Sequence, residues 1–287
     1  MNNASRWQLE MARKVSTVYT ANAKVRAIIV AGSVACGYAD AYSDVEIGVF
    51  WDDFPALAEF HAAMEQSGGD LWELDPYDAG DDVWYEEYGV AGLKIDLRHM
   101  TAARMDELLT AVIDTGDLSQ RRQEIIVAVQ HGVVLHGAAL IESWRERAAQ
   151  YPNSLARAMV GHHLSFHPWW CGPMLAERDD LPDAYGAFIE ATKGIVGTLL
   201  GLNRLYNPGM KWTDHTIATL PIAPPNLADR LKQAFRADPV AGAQELQQLI
   251  EEMFRLVERE MPDVDLTELR RTFHSRRPAL HAAPRGW

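Results

Sequence analysis

The sequence predicts an α+β protein: a small N-terminal domain with a mixed sheet and flanking helices, followed by a helical-bundle domain. Two observations predict it. Strand-like alternation of apolar and polar residues is confined to the first 100 residues, and helical periodicity takes over after them. Such segregation argues for two domains rather than a run of alternating strands and helices. The expected divisions are 1–112 for the sheet domain, 113–274 for the helical domain and 275–287 for a flexible tail rich in Pro, Arg and Ala.

Residues 5–22 read as an amphipathic helix, with Trp7, Met11, Val15 and Val18 at helical spacing. Val25 to Ala31 is a short, branched apolar run and reads as a buried strand. Gly32 and Ser33 end it, and SVACGY opens a short helix. Residues 43–51 alternate, with Val45, Ile47 and Val49 on one face and Asp44, Glu46 and Gly48 on the other. DDFPALAEFHAAMEQSG is a helix candidate with Phe60, Ala63 and Met64 inward. Residues 69–89 are acidic and aromatic and read as a strand plus irregular loops. Residues 92–99 alternate again, Leu93, Ile95 and Leu97 against Lys94, Asp96 and Arg98. TAARMDELLTAVID, SQRRQEIIVAVQHGVVLHG and ALIESWRERAAQYP then read as helices, the last ending at Pro152. Residues 154–167, 182–205, 224–236 and 239–260 supply the rest, and no internal repeat is evident.

Composition narrows the function classes. The 287 residues are 48% hydrophobic, enough for two modest cores. The net charge is −13 with no dense basic patch, which argues against non-specific nucleic-acid binding. An acidic surface keeps a protein soluble and also favours a small cationic partner. The two cysteines, Cys36 and Cys171, match no metal motif and give no disulfide framework. Residues 1–14 do not read as a signal peptide, and no apolar run approaches the roughly 20 residues of a membrane span. A reducing cytoplasm is the expected location, with no membrane partner.

The informative text is AGSVACGYADAYSDVEIGVFW, residues 31–51, taken with LKIDL, residues 93–97. Asp44 and Glu46 leave one face of a strand whose other face is anchored in the core. Two carboxylates so placed suit hard cations such as Mg²⁺. Asp96 sits on a second alternating strand and completes a three-acid cluster if the two strands are neighbours. Two metal ions held by Asp44, Glu46 and Asp96 would orient a triphosphate and lower the pKa of an acceptor hydroxyl. Asp96 is the leading candidate for taking the proton. Gly32 allows close backbone approach to a phosphate, and the Ser33 hydroxyl is a candidate donor to it.

This text resembles the nucleotidyltransferase superfamily that includes DNA polymerase beta. Gly32-Ser33 match its Gly-Ser at the end of the first core strand, Asp44 and Glu46 its paired acids, and Asp96 its third acid. The usual pair is two aspartates, so Glu46 is a departure that also occurs in the family. The resemblance covers roughly residues 20–100 and is closest in wording to bacterial small-molecule nucleotidyltransferases, such as antibiotic adenylyltransferases, which add a helical domain. It implies ATP or another nucleoside triphosphate as co-substrate. It also implies a cleft-facing tyrosine and lysine, carried over to Tyr206 and Lys211 in LNRLYNPGMKW.

The acidic stretch 70–89 lies between the two carboxylate strands. Trp84, Tyr85, Glu86 and Glu87 are candidates for holding a cationic acceptor, and one of the glutamates is an alternative base to Asp96. GHHLSFHPWWCG, residues 161–172, gathers His162, His163, His167 and Cys171 without a recognised zinc spacing, so helix packing is the favoured role. The expected activity is transfer of a nucleoside monophosphate, AMP in the first instance, to a hydroxyl of a small acceptor such as an aminoglycoside, with antibiotic resistance one role it would fit. Nucleotidylation of a protein partner, and a non-catalytic interaction protein of the same fold, remain open. Nucleobase preference and oligomeric state are not written in the sequence.

Overall fold

A computed structural model describes residues 1–74, 83–166, 169 and 171–276. The tail from 277, His167 and the middle of the acidic stretch, 75–82, lie outside the described residues. The chain forms an N-terminal mixed sheet flanked by helices, followed by a helical bundle. In order, the first part contains α1 (Asn3–Thr20), β1 (Val25–Val30), α2 (Gly32–Cys36), β2 (Val45–Trp51), α3 (Leu57–Gln66), β3 (Gly69–Leu74), β4 (Trp84–Val90) and β5 (Leu93–Thr101). It continues with α4 (Ala102–Leu109), α5 (Gln120–His131), β6 (Val133–His136) and α6 (Ala138–Ala148). The bundle comprises α7 (Asn153–His163), α8 (Cys171–Glu177), α9 (Leu181–Leu202), α10 (Thr213–Ala218), α11 (Leu227–Arg236), α12 (Pro239–Glu260) and α13 (Thr267–His274).

The sheet order is β3-β4-β5-β2-β1-β6. β2 and β5 pair in parallel, and the other pairings are antiparallel. One face is apolar. Val45, Ile47, Val49, Ile95 and Leu97 bury there against Leu9, Ala12, Val15 and Tyr19 of α1 and Phe60 and Met64 of α3. The expected stripe on α1 is rotated: Ala12 and Tyr19 face the core while Trp7 is 52% exposed. Asn2 caps this helix by accepting from the Ser5 N–H at 2.8 Å, which ties one of the end donors a helix cannot satisfy internally. On the opposite face Phe50 packs against Trp144 of α6, 4.8 Å between ring centres.

Strands are not confined to the first 100 residues. VVLH, expected within a helix, is β6 and pairs with β1 at the sheet edge. Gly137, at φ +69°, explains the sharp turn after it, because a Cβ there would lie 2.0 Å from the Arg26 carbonyl oxygen. The chain accordingly divides into compact units at Met1–Tyr151 and Pro152–Trp287, so segment 113–151 lies with the sheet and not with the bundle. Residues 69–89, expected to supply one strand, supply β3 and the first residues of β4.

In the bundle, α9 approaches α7 through a stripe of glycines. Gly197 faces the His163 ring and Gly201 faces Met159, with no room for a side chain at either. His163 is held neutral there, its pKa pushed down to about 4 by burial and by His162 beside it. That accounts for His163 as a packing residue. Among the described residues no helix is long and apolar enough to cross a membrane.

A polar chain crosses the apolar core of the first unit. The Trp51 indole N–H donates to His99 Nδ1 at 3.1 Å, so the proton of the neutral ring is assigned to Nε2, which donates to Glu86 Oε2 at 3.1 Å. Tyr19 donates to the same oxygen at 3.0 Å, and its hydroxyl lies 3.3 Å from that of Tyr88. Glu86 and His99 are fully buried. A buried carboxylate is tolerated only with donors around it. Tyr19→Phe therefore lowers unfolding free energy by about 1–3 kcal/mol in urea titration, since it strips a donor from a buried acceptor. An unchanged midpoint would show that the hydroxyl carries no weight.

Candidate functional site

The register of three strands builds the site. Glu46 on β2 pairs with Asp96 on β5, and Asp96 pairs in turn with Glu87 on β4. Directly opposed residues share a face and lie about 5 Å apart. Glu46, Asp96 and Glu87 thus form one row across the sheet. Gly48, Arg98 and Tyr85 form the next row in one direction, and Lys94 with Gly89 the next in the other. Asp44 stands one residue before β2 and reaches the Lys94 ammonium at 3.9 Å.

The acids do not stand alone. Lys94 Nζ lies 2.7 Å from Glu87 Oε1. Arg98 Nη2 lies 3.6 Å from Glu46 Oε1 and 4.0 Å from Asp96 Oδ2. Burial disfavours the Lys94 cation, but its bond to Glu87 and the charges of Asp96, Glu87 and Asp44 outweigh this and raise its pKa. Asp96 is the most buried acid of the row. Desolvation raises its pKa against the pull of Arg98 and Lys94, with Glu46 and Glu87 adding to the rise. Its Oδ1 is buried without a hydrogen-bond partner, and so is Arg98 Nε.

Gly32 opens α2 at φ +61°, and a Cβ there would fall 1.9 Å from Glu46 Oε2. The Glu46 carboxylate is therefore seated on the start of α2, where only glycine leaves space. Ser33 follows in the first turn, whose N–H groups have no partners within a helix. The loop before β2 is fixed locally. Asp40 accepts from Tyr42 N at 2.9 Å and from the Ser43 hydroxyl at 3.1 Å, and Gln8 donates to the Ser43 carbonyl at 3.0 Å.

Of the four acceptor candidates, Tyr85 and Glu87 share the face of Asp96, while Trp84 and Glu86 project to the other side. Glu86 belongs to the buried polar chain, and Trp84 packs against Phe60 at 4.5 Å. Alternation along β4 makes this division unavoidable. Sequence reasoning missed Trp72. Its indole lies over Gly89, where a Cβ would meet it at 2.6 Å, and it is 56% exposed. A glycine inside a strand is the signal for such a close approach. Tyr206 is buried in the second unit, where burial pushes its phenol up to about 12, and Lys211 is exposed.

Among the described residues no group of three or more His, Cys, Asp or Glu is arranged to hold a metal ion. Asp44 has Lys94 beside it, and Glu46 and Asp96 have Arg98 beside them. The donor set still suits a hard cation, being all carboxylate oxygen. The unpartnered Oδ1 of Asp96 is an acceptor that such a cation would satisfy.

Residues 118–213 match a family model described as a domain of unknown function (DUF4037). No curated protein matches the chain. Among solved structures it is similar to a nucleotidyltransferase-like protein from Exiguobacterium sibiricum, at 13% identity over 92% of this chain and 87% of that one, with a TM-score of 0.37.

The Asp96 environment has a pH consequence. A carboxylate whose folded pKa is raised binds its proton more readily in the folded chain, so it costs stability as pH rises through that pKa and returns it as pH falls. Asp96→Asn is expected to raise unfolding free energy at pH 8, with the gain shrinking at an acidic pH below the raised pKa. Urea titrations of both proteins at the two pH values check this, and destabilisation at pH 8 would refute it.

Proposed function

We propose that the protein transfers a nucleoside monophosphate, AMP in the first instance, from a nucleoside triphosphate to a hydroxyl of a small acceptor. The observation that carries this reading is the direct pairing of Glu46 with Asp96 on adjacent parallel strands, with Asp44 just ahead of them. The Gly32-Ser33 turn seated against Glu46, and the resemblance of these residues to the nucleotidyltransferase pattern, support it. Asp44, Glu46 and Asp96 are the residues that would hold Mg²⁺, which when bound supplies charge neutralisation for the triphosphate and acidifies the acceptor hydroxyl.

The chain's own groups do the rest. Asp96 takes the hydroxyl proton. Lys94 and Arg98 offset phosphate charge once released from the acids, and the backbone at Gly32 and Ser33 faces phosphate oxygens. Glu87 and the exposed Trp72 form the acceptor side, where an indole face and a carboxylate together suit an amino-bearing ring. The resemblance carries a nucleotide role over to Lys211 and Tyr206, which belong to the second unit.

One observation favours a non-catalytic reading: every acid of the row already has a cationic neighbour within 4.0 Å. Activity decides between them. The protein is incubated with Mg²⁺, each radiolabelled nucleoside triphosphate in turn and a panel of aminoglycosides, lincosamides and polyamines, and mass spectrometry follows the acceptors. We expect one acceptor to gain a nucleoside monophosphate, with at least about a hundredfold loss in Asp44→Asn and Asp96→Asn. Product formation unaffected by both substitutions would remove these residues from the chemistry.

A further inference from the structure

We infer that Arg98 is a resident counter-ion for the Glu46–Asp96 pair, and that a divalent cation enters by exchanging with its guanidinium. The inference rests on the transferase reading of this face and adds a loading step to it.

Several features converge on Arg98. It occupies β5 two residues after Asp96, so the strand's alternation returns it to the same face. Its Nη2 lies within 4.0 Å of both Glu46 and Asp96, where it supplies the positive charge the pair requires. Neither contact is a good hydrogen bond at these distances, and one oxygen of Asp96 and the Nε of Arg98 remain buried and unpartnered. A guanidinium makes its strongest pairing through two parallel bonds to one carboxylate. Here it lies loosely between two, which neutralises charge without satisfying either partner. A small cation accepting several oxygens would satisfy Asp96 Oδ1 as the guanidinium does not.

The displaced side chain has somewhere to go. The Tyr85 ring, paired with Arg98 across β4 and β5, already carries its guanidinium at 5.6 Å. Arg121 of α5 lies over the same ring at 5.4 Å. Released from the acids, Arg98 keeps the aromatic contact and stands near a second guanidinium, an arrangement that favours an incoming polyanion. The guanidinium stays on the chain, so the entering divalent ion adds two positive charges to this face, which the negative charge of an incoming triphosphate offsets.

The test measures Mn²⁺ affinity by electron paramagnetic resonance, without nucleotide, on the wild type, Arg98→Gln, Arg98→Lys and the double variant Arg98→Gln/Asp96→Asn. Thermal melting first verifies that each is folded. The expected result is that Arg98→Gln binds Mn²⁺ about tenfold or more tightly than the wild type. Arg98→Lys stays close to the wild type, and the double variant loses the gain. Equal or weaker binding in Arg98→Gln overturns the inference, and so does a gain that survives loss of Asp96. Titration of the same proteins with Mg²⁺ and a non-hydrolysable ATP analogue separates the two readings. If exchange fails, the wild type and Arg98→Gln load metal alike while still binding the analogue. If the transferase reading fails, neither binds the analogue whatever its metal affinity.

Discussion

Parallel pairing of β2 with β5 is the constraint on which the rest of the site depends. It sets Glu46 opposite Asp96 and, through β4, Glu87 opposite Asp96. Side chains alternate with a period of two, so a slip of one residue in either strand would bury an acid and expose Ile47 or Ile95. The apolar face prevents that slip. Val45, Ile47, Ile95 and Leu97 are essentially inaccessible to solvent, and their burial against α1 and α3 fixes the register that gathers the acids on the other side. Core packing and site geometry are thus two faces of one decision.

The same alternation distributes the glutamates of β4. Glu87 joins the row of acids, while Glu86 enters the core, where Tyr19 and His99 supply its donors. Two adjacent residues of identical chemistry therefore serve opposite purposes. The acid face carries more repulsion than a stable protein needs. Lys94 and Arg98 moderate it, yet Asp96 still ends with a raised pKa and an unpartnered oxygen.

Much of this was legible in the sequence because it follows from periodicity. The strands carrying Glu46 and Asp96, their apolar faces and the helices α3, α9 and α12 all follow from residue spacing. The features that escaped depend on tertiary pairing. VVLH is too short to declare itself beside a long helical pattern, although Gly132 and Gly137 bracket it. The order of β4, β5 and β2 is not encoded locally, so the meeting of Arg98 with Glu46 was out of reach. Strand alternation alone would have split Trp84 and Glu86 from Tyr85 and Glu87, had 84–90 been read as one strand. Trp72 was hidden because its role depends on Gly89 in the neighbouring strand.

We propose the Glu46–Asp96 pair as the seat of a metal-bound triphosphate. Anomalous diffraction from crystals of the protein grown with Mn²⁺ and a non-hydrolysable triphosphate tests it most directly. The expected result is a manganese peak in contact with carboxylate oxygens of Glu46 and Asp96, with phosphate density beside Gly32 and Ser33. Triphosphate bound elsewhere, with Arg98 still lying across the two acids and no manganese between them, would contradict it.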